Sequence, residues 1–176
     1  DMRETATSFY QQHKLADTTV VSNYGLDAND VHVIKEYSKI KNYDLGYFQD
    51  TKVNNGQTVV RVFSNPKNIS TYELVSGKMP HKSNEIALSY LLKGKYKIGQ
   101  TIDVDKNTSL KHEKFRITGF VRSSEYLDKN DLGQTNVGTG QLNGVAVVAK
   151  KAFKTKVYTI ARIRYKNTAN MSPYSA

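Results

Sequence analysis

The chain has 176 residues, 38% of them hydrophobic, no cysteine and a formal net charge of +10. That composition allows a core for one domain or two small lobes, and the lack of cysteine excludes a disulfide framework, thiolate catalysis and cysteine-ligated zinc. No apolar run reaches the roughly 20 residues a membrane-spanning helix needs, so the segment itself is expected to be water-soluble.

The opening Asp1-Met2-Arg3 carries no secretion signal and reads as the start of an excised fragment. Met2, Ala6, Phe9 and His13 recur at intervals of three and four, which predicts an amphipathic helix. "DTTVVSNYG" reads as a short β-branched strand ending at Gly25. Next comes the best helix start in the chain: Asp27 is placed to cap, Asp30 suits the positive helix end, and Leu26 and Val31 have the spacing of a hydrophobic staple. Val31, Ile34 and Ser38 would line its inner face, with His32 on the surface.

Two runs rich in aromatic and β-branched residues follow. The first, Tyr43 to Val53, is joined to the second through Asn54-Asn55-Gly56, where Asn-Gly is expected to supply the positive φ values of a hairpin turn. "EIALSYLLKGK" predicts a strand running into a short helix ended by Gly94, and the remainder reads as short strands separated by turns. In "VYTIARIRY", Val157, Thr159, Ala161 and Ile163 alternate with Tyr158, Ile160, Arg162 and Arg164, predicting one core face and one face that turns basic. The polar, glycine-rich stretch from Ser123 to Gly144 is long enough to be either functional or mobile.

The charge is uneven. Residues 1–60 have six basic and eight acidic residues, 78–116 have nine and four, and 150–166 have seven and none. The last segment offers Lys150, Lys151, Lys154, Lys156, Arg162 and Arg164 as contacts for a polyanion such as an anionic wall polymer or nucleic acid. The competing reading is a solubilising face, since lysine outnumbers arginine and bidentate phosphate recognition prefers arginine.

Catalytic motifs are missing from the sequence. There is no P-loop, and "GTGQLNG" has Asn143 where a dinucleotide fingerprint needs glycine. His13, His32, His81 and His112 do not recur at metal-ligating spacing, and no serine occupies a nucleophile elbow. Glu73, Glu85, Glu113 and Glu125 stay open as carboxylates for folding to gather or to scatter. No cofactor, metal or catalytic residue is therefore assigned, and no specific nucleic-acid motif is found.

Three motifs in order carry a resemblance: "LVSGKMPHKSNEIALS", "KYKIGQTIDV" and "FRITGFVRSSEY". Their matching positions are Val75, Gly77, Lys78 and Pro80; Glu85 to Leu88; Ile98, Gly99, Gln100 and Ile102; and Phe115, Ile117, Gly119 and Phe120. In this pattern, with "HKLAD" and "SNYGL" upstream, the chain resembles the MacB-like extracytoplasmic core domain of FtsX/MacB-type ABC transporter permeases, in the Gram-positive variant. The resemblance implies an α+β fold in which a mixed α/β lobe, 1–89 and 140–176, carries an inserted, mostly β lobe at 90–139. Gly77, Pro80, Gly99 and Gly119 would be structural turns. It further implies a non-catalytic domain on the extracellular face of the bacterial plasma membrane, within an integral membrane protein. Its partners would be the permease's own membrane helices, a cytoplasmic ATPase subunit, and an extracellular accessory protein or a peptide or lipid substrate. The alternative is a surface-exposed binder of anionic polymer acting through the basic C-terminal segment.

Overall fold

A computed structural model describes residues 15–126 and 132–166; the predicted N-terminal helix at 2–13 lies outside them. The fold is α+β, with one α-helix and two sheets among the described residues. The smaller sheet contains β1 (Thr18–Val21), β2 (Ile40–Gly46) and β10 (Ile160–Tyr165), with β10 in the middle and antiparallel to both neighbours. Helix α1 (Ala28–Glu36) covers one face of it. The Asp27 carboxylate accepts from the Asp30 amide at 2.7 Å, fixing the helix start, and Leu26, Val31 and Ile34 pack with Ala161 and Ile163. Ser38 is exposed and adds nothing to that face.

The larger sheet runs β3 (Phe48–Lys52), β4 (Val59–Ser64), β9 (Gly144–Val148), β6 (Glu85–Ser89) and β8 (Lys114–Arg122). The far edge of β8 is shared by β7 (Thr101–Asp103) at its start and β5 (Glu73–Gly77) at its end. Thus β7 and β8, which fall in the 90–139 segment, are hydrogen-bonded into the same sheet as β6 and β9. Strands β4 and β9 are parallel, as are β6 and β8, and both faces of the sheet are covered. This explains the apolar sequence of β9, "GVAVV", and the apolar centre of β6, Ile86 to Leu88.

A bulge adjusts the alternation in β8. Pairing with β6 passes from Ile117 to Gly119 while β6 advances only from Ile86 to Ala87, leaving Thr118 as the extra residue. Phe115, Ile117 and Phe120 therefore reach the same core, while Val121 joins a cluster with Ala87 and Val147.

Three sequence expectations differ in detail. The long run Tyr43 to Val53 divides at Tyr47: β2 ends at Gly46 in one sheet and β3 starts at Phe48 in the other, with the Tyr47 amide donating to Ser64 Oγ at 2.9 Å. In the β3–β4 turn the positive φ values belong to Asn54 (54°) and Asn55 (52°), with Gly56 completing the turn. Both faces of β10 are covered, because the side of Ile160 and Arg162 opposite α1 packs toward Phe63 of β4.

Candidate functional site

Of the four expected turn residues, Gly77, Pro80 and Gly99 stand at strand ends and connections, whereas Gly119 is inside a strand. Gly77 closes β5 at φ +78°, and Pro80 is buried in the link to β6. That link passes from one edge of β8 to the other, held by the Lys78 amide on Thr118 O at 2.9 Å and the Arg116 amide on Asn84 O at 2.8 Å. Gly99 precedes β7 at φ +93°, and Gly119 lies in β8 beside the bulge.

The six cations of the basic segment are not equivalent. Lys151, Lys154 and Lys156 are exposed on the turn after β9 and on the approach to β10, and Arg164 is half-buried in β10. Lys150 is tethered: its Nζ donates to Leu45 O at 3.2 Å and lies 5.1 Å from the ring centroid of Tyr158. That ring in turn stacks on Tyr47, 5.4 Å between centroids. Arg162 is only 2% exposed; its Nε donates to Glu125 at 3.1 Å and its guanidinium stands 5.0 Å above the Phe63 ring.

Arg162 thus marks the junction of the two sheets. Glu125 follows β8 and also accepts from Thr19 of β1 at 3.4 Å. Cross-strand from Arg162, Asp44 receives the amides of Asn68 and Ile69, both at 2.7 Å, which ties β2 to the loop after β4. The Ala16 amide reaches Ser70 Oγ at 3.0 Å. Directional bonds therefore fasten each strand of the small sheet to the large one.

Two clefts open beside this junction. One, of about 590 Å³, includes Tyr24, Phe48, Asp50, Arg61 and Thr135 in its walls. Arg61 and Asp50 pair bidentately across β4 and β3 at 2.7 and 2.9 Å, and the Thr135 hydroxyl adds a third bond to Asp50 at 2.7 Å. The carboxylate beside it raises the pKa of Arg61 above the ordinary guanidinium value, more than burial lowers it. The second, of about 420 Å³, has Lys35, Asp44, Lys67, Lys150, Tyr158 and Arg162 in its walls.

The chain is similar in structure to known proteins. The extracellular domain of the noncanonic ABC-type transporter YknZ from Gram-positive bacteria matches with a TM-score of 0.47 and 9% identity, over 86% of each chain. A domain of a protein described as a permease, from Porphyromonas gingivalis, matches with a TM-score of 0.43 and 10% identity, over 88% of this chain and 65% of that one. No protein-family model matches the chain, and no curated protein matches its sequence.

The four carboxylates left open by the sequence each have their own setting. Glu73 is 3.8 Å from Arg122, Glu85 accepts the amides of His81 and Lys82, Glu113 is exposed, and Glu125 holds Arg162. Ser83 Oγ lies 2.9 Å from His112 Nε2 at the surface, and among the described residues no carboxylate accepts from His112. Among the described residues no three His, Asp or Glu side chains gather as metal ligands.

Sequence reasoning missed Asp50–Arg61 and Arg162–Glu125. The first left a faint signal, opposite charges near the middles of two hairpin strands. The second left none, because its partners are 37 residues apart, one in β10 and the other in the segment after β8.

The stretch from Ser123 to Gly144 is partly outside the described residues, but 132–142 folds into an ordered turn. Leu132 and Leu142 are buried, the Leu142 amide donates to Gly133 O at 3.1 Å, and Thr135 donates to Gly140 O at 3.0 Å. Asn143, the residue that breaks the dinucleotide pattern, has a structural task. Its amide donates to Val59 O and its side-chain oxygen accepts from the Val59 amide, each at 2.8 Å, extending the β4–β9 pairing by one position.

Proposed function

We propose that the chain is a non-catalytic extracellular domain of an ABC transporter permease, carried by the permease's membrane helices on the outer face of a bacterial plasma membrane. ATP hydrolysis belongs to a separate cytoplasmic subunit or domain. This domain relays the resulting movement and contacts an accessory protein or a peptide or lipid substrate outside. The ordered turn motifs support the family.

One structural observation carries the relay. Among the described residues β1 comes first and β10 last, and the two are antiparallel neighbours, with Asp17 N donating to Ile163 O at 2.9 Å and the Tyr165 amide donating to Asp17 Oδ2 at 2.8 Å. Movement applied to this strand pair reaches the small sheet directly. Through Arg162–Glu125 and Asp44 it passes to the large sheet.

These 176 residues have no cysteine, so one introduced cysteine is the only thiol in the domain, and cells with the unsubstituted protein give the background labelling. The full-length native gene product is produced in its own cells with Lys82→Cys, at an exposed position, and treated with a membrane-impermeant maleimide. Labelling of intact cells is expected, at a rate that changes when the ATPase is trapped with vanadate. Labelling only after lysis overturns the location, and a rate indifferent to vanadate overturns the relay.

A further inference from the structure

The geometry points to the 420 Å³ cleft at the sheet junction as a binding site for a phosphate group. Its cations come from three separate parts of the chain: Lys35 from the last turn of α1, Lys67 from the loop after β4, and Lys150 from the turn after β9. A fourth cation, Arg162, is buried in the wall. Its Nε is satisfied by Glu125, whereas Nη2 is buried with no hydrogen-bond partner. That Nη2 is closed to solvent, so Arg162 acts on the cleft as a buried charge behind its wall and not as a direct contact.

The one carboxylate in the wall, Asp44, is already occupied by the amides of Asn68 and Ile69, both at 2.7 Å. That leaves an excess of positive charge in a recess. Lys150 is held in place rather than waving in solvent, by Leu45 O and the faces of Tyr47 and Tyr158. Cations that approach from several directions suit a tetrahedral group with three or four acceptor oxygens better than a planar carboxylate with two.

This site does not rest on the transport reading. It differs from a general basic surface because Lys151, Lys154 and Lys156, though exposed, do not line it. Because Lys35 and Arg162 belong to the small-sheet side and Lys67 and Lys150 to the large-sheet side, a bound phosphate bridges the two.

The test is a titration of the chain with inorganic phosphate at constant ionic strength, read by amide chemical shifts. Saturable shifts are expected at Lys35, Lys67, Asn68 and Lys150, with a rise in Tm. Lys67→Gln and Lys150→Gln, both exposed changes, should each weaken Kd by about tenfold, the loss of one charge-assisted contact. A second arm asks for the source of the group, with sedimentation on phosphatidylglycerol and phosphatidylcholine vesicles. Phosphate-competed binding to phosphatidylglycerol alone supports a lipid headgroup, and saturation by phosphate without vesicle binding supports a soluble phosphate ester. The proposal fails if shifts do not saturate. It also fails if they spread equally over Lys151, Lys154 and Lys156 with affinity unchanged in both variants.

Discussion

Gly77 and Gly119 are directly opposite each other in the β5–β8 pairing, and neither position has room for a side chain. A Cβ on Gly119 would lie 2.5 Å from Lys78 O and 2.7 Å from Ser76 O, both backbone atoms that cannot swing aside. Gly99 also has positive φ, at +93°, but nothing lies within 4 Å of its would-be Cβ. Gly119→Ala is therefore expected to cost about 2–3 kcal/mol through overpacking, and Gly99→Ala about 1 kcal/mol through backbone strain alone. Urea midpoints measure both; equal costs would show that close strand approach is not what selects glycine at 119.

The Arg162–Glu125 pair is asymmetric, with side-chain exposures of 2% and 17%. Glu125→Leu strands a buried guanidinium and should cost roughly 3 kcal/mol, whereas Arg162→Met leaves a carboxylate that water still reaches and should cost roughly 1 kcal/mol. The double variant should resemble Arg162→Met rather than the sum, which a double-mutant cycle measures. Strict additivity would mean the pair does not couple the sheets.

Tyr72 presents the opposite case. Its hydroxyl is buried without a hydrogen-bond partner, and burial holds it protonated far above the ordinary tyrosine range. Tyr72→Phe deletes an unsatisfied polar atom and keeps the ring, so a gain of about 1 kcal/mol is expected. A drop in Tm would reveal a bond to the hydroxyl in solution.

Glu85 sets an acid-side dependence. The Lys82 and His81 amides that donate to its carboxylate lower its pKa below the ordinary 4.5. A depressed folded pKa means the stabilisation is fully present above 4.5 and is lost as pH falls through the folded value. Thermal melts from neutral to acid pH should therefore fall less steeply for Glu85→Gln than for the parent chain, and parallel curves would remove Glu85 from the acid response.

What the sequence made legible follows from how far each interaction reaches. The Asp27 cap, its staple partners Leu26 and Val31, and the Asn54-Asn55 turn lie within a few residues of one another, so propensity and spacing suffice. The α+β class came instead from the resemblance carried by the three ordered motifs. The orientation of β10 was not legible: alternation correctly separates Ile163 from Arg162, yet which covering meets each face depends on Phe63 and Glu125, far away in the chain. The division of Tyr43–Val53 between two sheets was hidden likewise, since the break is made by Ser64.

The adjacency of β1 and β10 has a mechanical corollary. Thr18 faces Ile163, so the two chain directions depart from the same end of the ladder. Tension that separates them would open this ladder like a zipper, one rung after another, which is its weakest mode. Displacing both ends together loads no rung, so the strand pair then moves as one body.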